Sequence, residues 1–279
     1  KKFEFELMIT TGNSNADKIA LMLRNSCAKV GINVEIRRLE WGAFLEKLNP
    51  EQREAVLHRD GPLLILAGAG SGKTRVICCR LAYLIRDGHA EPDQVLAVTF
   101  TNKAAEEMRG RVEQLLESES PRLWISTFHA FCARVLRREA PLIGLSRDFV
   151  IYDSVDQLSA VRQAMRDLNV DDKITPPRSL LSRISHAKNR MESAADIRQN
   201  SHGFGDDQLA AVYELYLKTL RTSGALDFDD LLLKAVTLFE TSENARERYA
   251  NRFRYVMIDE YQDTNRPQYM LIRLLTDQH

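Results

Sequence analysis

The residues with the clearest chemistry lie between Leu63 and Thr74, in "LLILAGAGSGKT". Gly68, Gly70 and Gly72 alternate with small residues and lead into Lys73 and Thr74. Glycine opens backbone dihedrals closed to other residues and lets the main chain approach an anion. A helix starting near Gly72 would aim its free N–H groups and the positive end of its dipole at that anion. Lys73 adds a point charge, and the Thr74 hydroxyl can ligate magnesium. This is phosphate chemistry. The usual phosphate-loop pattern places a glycine five positions before Gly72, where this chain has Ala67. A glycine-rich turn with an incidental lysine is the plainer alternative. The order apolar run, loop, Gly-Lys-Thr, helical pattern favours the phosphate loop.

Such a loop needs a magnesium partner and a base, and "YVMIDEYQDT" offers both. Asp259 and Glu260 end an apolar run, and open parallel sheets place ligands outside the carboxyl ends of their strands. Asp259 is the candidate magnesium holder, directly or through water. Glu260 is the candidate base that orients an attacking water. Two further runs end in "TFTNKAAEEM" and "STFHAF", each with an aromatic beside hydroxyl, amide or imidazole groups. On the rim of a sheet, residues of this kind can stack on and hydrogen-bond to single-stranded nucleic acid. Phe100 and Phe128 fit a core equally well, and His129 fits a satisfied buried histidine.

The elements that must position these residues follow from periodicity. Four short apolar runs, 63–67, 95–100, 123–128 and 254–260, read as parallel strands buried on both faces. Val76, Ile77, Arg80, Leu81, Leu84 and Ile85 recur at helical spacing, with Gly88 as the stop. The layout is an α/β sheet. It is interrupted over 132–224 by a stretch rich in helical starts. Ser154 with Gln157 reads as a capping box, Thr175 with Pro176 as a cap and first turn, and Asp227 as a further N-cap. Arg178, Arg183, Lys188, Arg190 and Arg198, set against Glu192 and Asp196, read as a solvated helix face. Residues 1–47 read as strand, helix, strand, with Ile19, Ala20, Leu23 and Cys27 on one helical face and Gly31 at its end.

Residues 48–279, about five-sixths of the chain, resemble the N-terminal part of a UvrD/Rep/PcrA-type superfamily 1 DNA helicase. The resemblance rests on "LNPEQREAV", "LAGAGSGKTRV", "AVTFTNKAAEEM", "STFHAFC", "LDFDDLL" and "VMIDEYQDTNRPQY". In that family the loop looks like A-x-x-G-x-G-K-T, so Ala67 fits. The resemblance implies a RecA-like parallel sheet with a phosphate loop, with ATP and Mg2+ as cofactors. It implies a motor domain 1A over 48–131 and 225–279 and a helical subdomain 1B over 132–224. It assigns Gln52 to adenine and Ala67, Gly68, Ala69, Gly70, Ser71, Gly72, Lys73, Thr74 and Arg75 to the nucleotide. Thr74 and Asp259 are assigned to magnesium, and Lys73, Asp259 and Glu260 to catalysis. Phe100, Asn102, Thr127 and His129 fall in motifs that resemble those lining a single-stranded DNA path. The family continues into another strand, expected between 63–67 and 255–259, and then into a second motor domain bearing arginine fingers. Residues 1–47 instead resemble a piece of an oligopeptide-type periplasmic solute-binding protein, through "KVGINVEIRRLEW" and the strand-helix-strand order. The leading expectation is the motor half of an ATP-dependent 3′–5′ helicase. The alternatives are a nucleotide- and DNA-binding fragment without turnover, and a solute-binding fragment.

Composition narrows the classes without choosing among them. Basic and acidic residues balance at 39 each, so net charge argues for neither nucleic acid nor membrane. Cys27, Cys78, Cys79 and Cys132 form no C-x-x-C pair, which fits a reducing, cytoplasmic compartment. There is no apolar run long enough to span a membrane and no signal-peptide core at the N-terminus.

Overall fold

The computed structural model describes residues 3–10, 14–28, 32–39, 45–68, 70–117, 122–201 and 203–277. Its elements run β1 (Phe3–Thr10), α1 (Ser14–Ala28), β2 (Ile32–Leu39), α2 (Pro50–Leu57), α3 (Lys73–Arg86), β3 (Val95–Thr99), α4 (Asn102–Leu116) and β4 (Trp124–Thr127). They continue with α5 (Phe128–Glu139), β5 (Val150–Ile151), α6 (Ser154–Asp167), α7 (Pro177–Asn189), α8 (Ala194–Gln199) and α9 (Phe204–Thr222). The last are β6 (Ala225–Leu226), α10 (Phe228–Thr241), α11 (Glu243–Arg252), β7 (Tyr255–Ile258) and α12 (Arg266–Thr276). The result is a helix-rich α/β protein with parallel strand pairs. The chain divides into two compact units, Lys1–Ile125 with Tyr255–Asp259, and Ser126–Arg254 with Glu260–His279.

In the first unit the central sheet has the order β4-β3-β7. Strand β3 is buried along its whole length, as a strand covered on both faces must be. It pairs in parallel with β7, Val95 opposite Tyr255 and Val98 opposite Ile258. The ladder runs one residue further, because Asp259 N donates to Val98 O at 3.0 Å. Helices α3 and α4 supply the surrounding core through Leu81, Leu84, Met108 and Val112, packed with Val95, Ala97 and Met257. Gly88 (φ 73°) follows the end of α3, as its position in the sequence predicts.

The strand expected over 63–67 does not form. Leu64 and Leu66 are 67% and 87% exposed, and only Ile65 packs against the core. The physical reason is pairing. A strand satisfies its N–H and C=O groups on a neighbour. Here β3 is flanked by β4 and β7, and no described strand lies beyond β7 to bridge to 63–67. The terminal strand-helix-strand does form, with β1 and β2 parallel and Phe3 opposite Ile32. Ile19 and Leu23 on the predicted packing face of α1 are exposed. Gly31 lies outside the described residues.

The second unit holds the helices of 132–224 together with α10, α11 and α12. Val161, Leu180, Ile184, Val212, Tyr213 and Tyr216 form one of its cores. Two predicted caps are shifted. Helix α6 is capped by Asp153 with Asp156, one residue earlier than expected, because the Asp153 carboxylate accepts from the N–H groups of both Val155 and Asp156. Helix α7 has Pro176 at its N-cap and Pro177 at its first position, while the Thr175 hydroxyl turns to Gln208 at 3.1 Å. The predicted Asp227 cap is present on α10, with Asp230 closing a capping box.

Candidate functional site

The phosphate-type loop takes its shape from its glycines. Gly70 and Gly72 have φ of 77° and 87°, left-handed values that favour glycine, whereas Gly68 does not. Gly72 is the N-cap of α3 and no side chain caps that end. The first-turn N–H groups of α3 therefore lack intrahelical acceptors and face the loop with the positive end of the dipole. The Ser71 hydroxyl ties the turn by donating to Gly68 O at 2.7 Å. The Lys73 ammonium donates to Ala67 O at 3.1 Å and Gly68 O at 3.4 Å, so it lies over the loop's own carbonyls. Ala69 lies outside the described residues.

Two neighbours fix this loop. Gln52 is the third residue of α2, in a capping box with Asn49. Its Oε1 accepts from Asn49 N at 3.2 Å and its Nε2 donates to Ser71 O at 2.9 Å. The side chain assigned to adenine by resemblance thus also ties α2 to the loop. Arg80, buried in α3, donates to the carbonyls of Ala55 and His58 and so clamps α2 against α3. In the sequence Arg80 is only one member of a helical pattern. Its role as a clamp depends on carbonyls more than 20 positions away.

The link to the far end of the chain is direct. The Thr74 hydroxyl lies 3.3 Å from Asp259 Oδ2, across a separation of 185 positions. Asp259 is 6% exposed and sits just past β7. Two hard oxygens so placed suit magnesium, which binds through one or two protein oxygens and fills its octahedron with water and phosphate. Parallel pairing of β3 and β7 puts Phe100, half-buried, and Asn102, exposed, at the same strand ends as Asp259. Arg75 is exposed at the start of α3. The nearby thiols take no part, for burial pushes Cys78 up to about 12 and raises Cys79 as well.

The remaining predicted residues belong to the second unit. Glu260 has φ 52° and ψ 47°, a left-handed conformation rare for a residue with a side chain, and its Oε2 accepts from Gln262 Nε2 at 2.5 Å. Thr127 is buried and caps α5, accepting from Ala130 N at 3.2 Å. His129 meets Phe228 edge-on, ring centroids 5.9 Å apart. Burial pulls its pKa below the ordinary histidine value and the Asp229 carboxylate opposes this, so the imidazole is neutral at pH 7. Phe128 is a core residue.

Of the basic residues read as a solvated face, Arg178, Arg190 and Arg198 are exposed, and Lys188 is the exception. Lys188 is fully buried, and its Nζ donates to Asp227 Oδ2 at 2.6 Å and Asp230 Oδ1 at 2.7 Å. Tyr216 adds its hydroxyl to Asp227 at 2.8 Å. Burial alone would lower the lysine's pKa. The two carboxylates outweigh it and raise the pKa, so the ammonium stays charged. Sequence marked Asp227 as a cap and could not show which of five basic residues would reach it.

Comparison with known proteins places the chain. A profile of the UvrD/REP helicase N-terminal domain matches residues 48–279. The chain belongs to the UvrD/REP helicase family. Relatives named ATP-dependent DNA helicase PcrA include those of Bacillus subtilis (strain 168), 47% identical over 234 residues, and Staphylococcus epidermidis (strain ATCC 12228 / FDA PCI 1200), 45% identical over 235. Another is that of Staphylococcus aureus (strain NCTC 8325 / PS 47), 46% identical over 233. Each match covers 84% of this chain and 32% of the relative, so this UvrD/REP chain spans about a third of their length. Residues 1–47 lie outside the family match. No helix among the described residues is long and apolar enough to cross a membrane.

Proposed function

We propose that this chain is the ATP-binding motor half of an ATP-dependent DNA helicase. In this reading 48–131 with 225–279 form motor domain 1A, 132–224 form subdomain 1B, and the complete protein moves 3′ to 5′ on single-stranded DNA. The observation that carries the reading is the 3.3 Å approach of Thr74 to Asp259, which joins the glycine loop to the acidic strand end. Gly68 to Arg75 and the α3 N-terminus hold the phosphates, Lys73 turning from the Ala67 and Gly68 carbonyls to the terminal phosphates. Thr74 and Asp259 hold Mg2+, which supplies charge neutralisation on the phosphates. Glu260 orients the attacking water, and Gln52 meets the base. Phe100, Asn102, Thr127 and His129 contact single-stranded DNA. Burial lowers the His129 pKa, which favours a hydrogen bond or stacking over a phosphate ion pair.

The second reading is that these 279 residues, which span about a third of the relatives' length, bind nucleotide and DNA without turnover. Arginine fingers contribute about 10³ to 10⁵ in rate where they occur, and by resemblance they belong to a second motor domain. We expect very slow, DNA-independent phosphate release from these 279 residues and no strand displacement. ATP-dependent unwinding by the purified chain would overturn this, and release that does not depend on Glu260 would remove its role as base.

A further inference from the structure

The motif "LDFDDLL" and the buried charges beside it have no part in the site described above, yet they lead to it. Helix α7 presents Ser185, Lys188 and Asn189 on one face, at spacings of three and four residues. Each meets the first turn of α10. Lys188 bridges Asp227 and Asp230. The Ser185 hydroxyl donates to Asp229 Oδ2 at 2.7 Å, and Asn189 Nδ2 donates to Ser185 O at 2.8 Å and to Asp229 Oδ1 at 3.3 Å. These bonds fix the Asn189 amide, with its oxygen turned outward. That oxygen accepts from Asn265 Nδ2. Asn265 is the N-cap of α12, its own Oδ1 accepting from Gln268 N at 3.0 Å. Next to it, the Arg266 guanidinium donates to Arg190 O at 3.3 Å. The end of α7 therefore grips the start of α12 at two points.

Five residues before Asn265 is Glu260, and the segment between them is closed by hydrogen bonds. Asp263 N donates to Glu260 O at 3.0 Å, Thr264 N to Tyr261 O at 3.2 Å, and the Thr264 hydroxyl to Tyr261 O at 2.8 Å. A left-handed backbone is costly for a residue with a side chain and persists only when its surroundings over-determine it. The cap on α12 needs only the Asn265 oxygen. Its second contact, through Nδ2, adds nothing to the cap and fixes where the segment from Glu260 ends. We propose that Asn189 is a positioning residue for Glu260, acting through Asn265. The helical segment 132–224 thereby sets the direction of the carboxylate. The proposal rests on the reading of Glu260 as the hydrolytic base.

Hydrogen exchange on the whole 279-residue chain tests it, with the variants Asn265→Ser and Asn189→Ala. Serine keeps a capping oxygen and cannot reach Asn189. Both variants should speed exchange at the Asp263 and Thr264 amides by about tenfold or more, while the amides of the following turns of α12 keep their protection. The double variant should go no further than the larger single one, since both cut the same path. Single-turnover hydrolysis should fall with nucleotide affinity unchanged. Unaltered exchange at 263 and 264 in Asn265→Ser, or additive effects in the double variant, would overturn the proposal. Asn265→Ser serves alone if Asn189→Ala does not fold. Nucleotide affinity, measured on the same samples, separates a failure of the tie from a failure of the phosphate-loop reading.

Discussion

Asp259 shows how much one residue can reveal and where that stops. Its type and its place after an apolar run marked it as a metal holder, and the structure sets it against the Thr74 hydroxyl. Replacing Asp259 with Asn keeps the shape and removes the charge. We predict that Asp259→Asn binds ATP with nearly the same affinity with and without Mg2+, whereas the parent chain binds more tightly when Mg2+ is present. Titration of a fluorescent nucleotide in magnesium and in chelator checks this, and an unchanged magnesium effect would exclude Asp259 as a ligand. The loop was legible because its chemistry is local: three glycines, a lysine and a threonine within a few positions. Lys188 was not, because its partners lie 39 and 42 positions away and its burial is a product of packing.

At the scale of elements, short apolar runs predicted β3 and β7, helical spacing predicted α3, and the Asp227 cap marked the start of α10. The run 63–67 carried the same pattern and did not become a strand, because pairing belongs to neighbours and not to the run itself. The caps shift for local reasons: Asp153 and Ser154 both offer an oxygen at the start of α6, whereas α7 starts at Pro177 without a side-chain cap because the Thr175 hydroxyl bonds Gln208. The buried ion cluster between α7 and α10 should matter for stability. Removing the cation leaves two carboxylates desolvated and unpaired, which costs about 3–5 kcal/mol. We predict that Lys188→Met loses stability of that order in urea unfolding followed by circular dichroism. The triple change Lys188→Met, Asp227→Asn, Asp230→Asn should recover part of it. A loss below about 1 kcal/mol in Lys188→Met would place the cluster among weak surface pairs.

For the molecule as a whole, the family match begins at residue 48, and β1, α1 and β2 form a locally complete parallel pair with its crossover helix. We predict that removing residues 1–45 changes nucleotide affinity by less than about threefold, under roughly 1 kcal/mol. Collapse of binding in the shortened chain would show that the N-terminal piece supports the loop. The central claim is that the loop from Gly68 to Thr74 holds the phosphates of MgATP, and Lys73 tests it most directly. A charge-assisted phosphate contact contributes about 1.5–3 kcal/mol, so Lys73→Ala should weaken MgATP binding by about tenfold or more in an equilibrium titration of the folded chain. Equal affinity of the parent and Lys73→Ala chains would contradict the account.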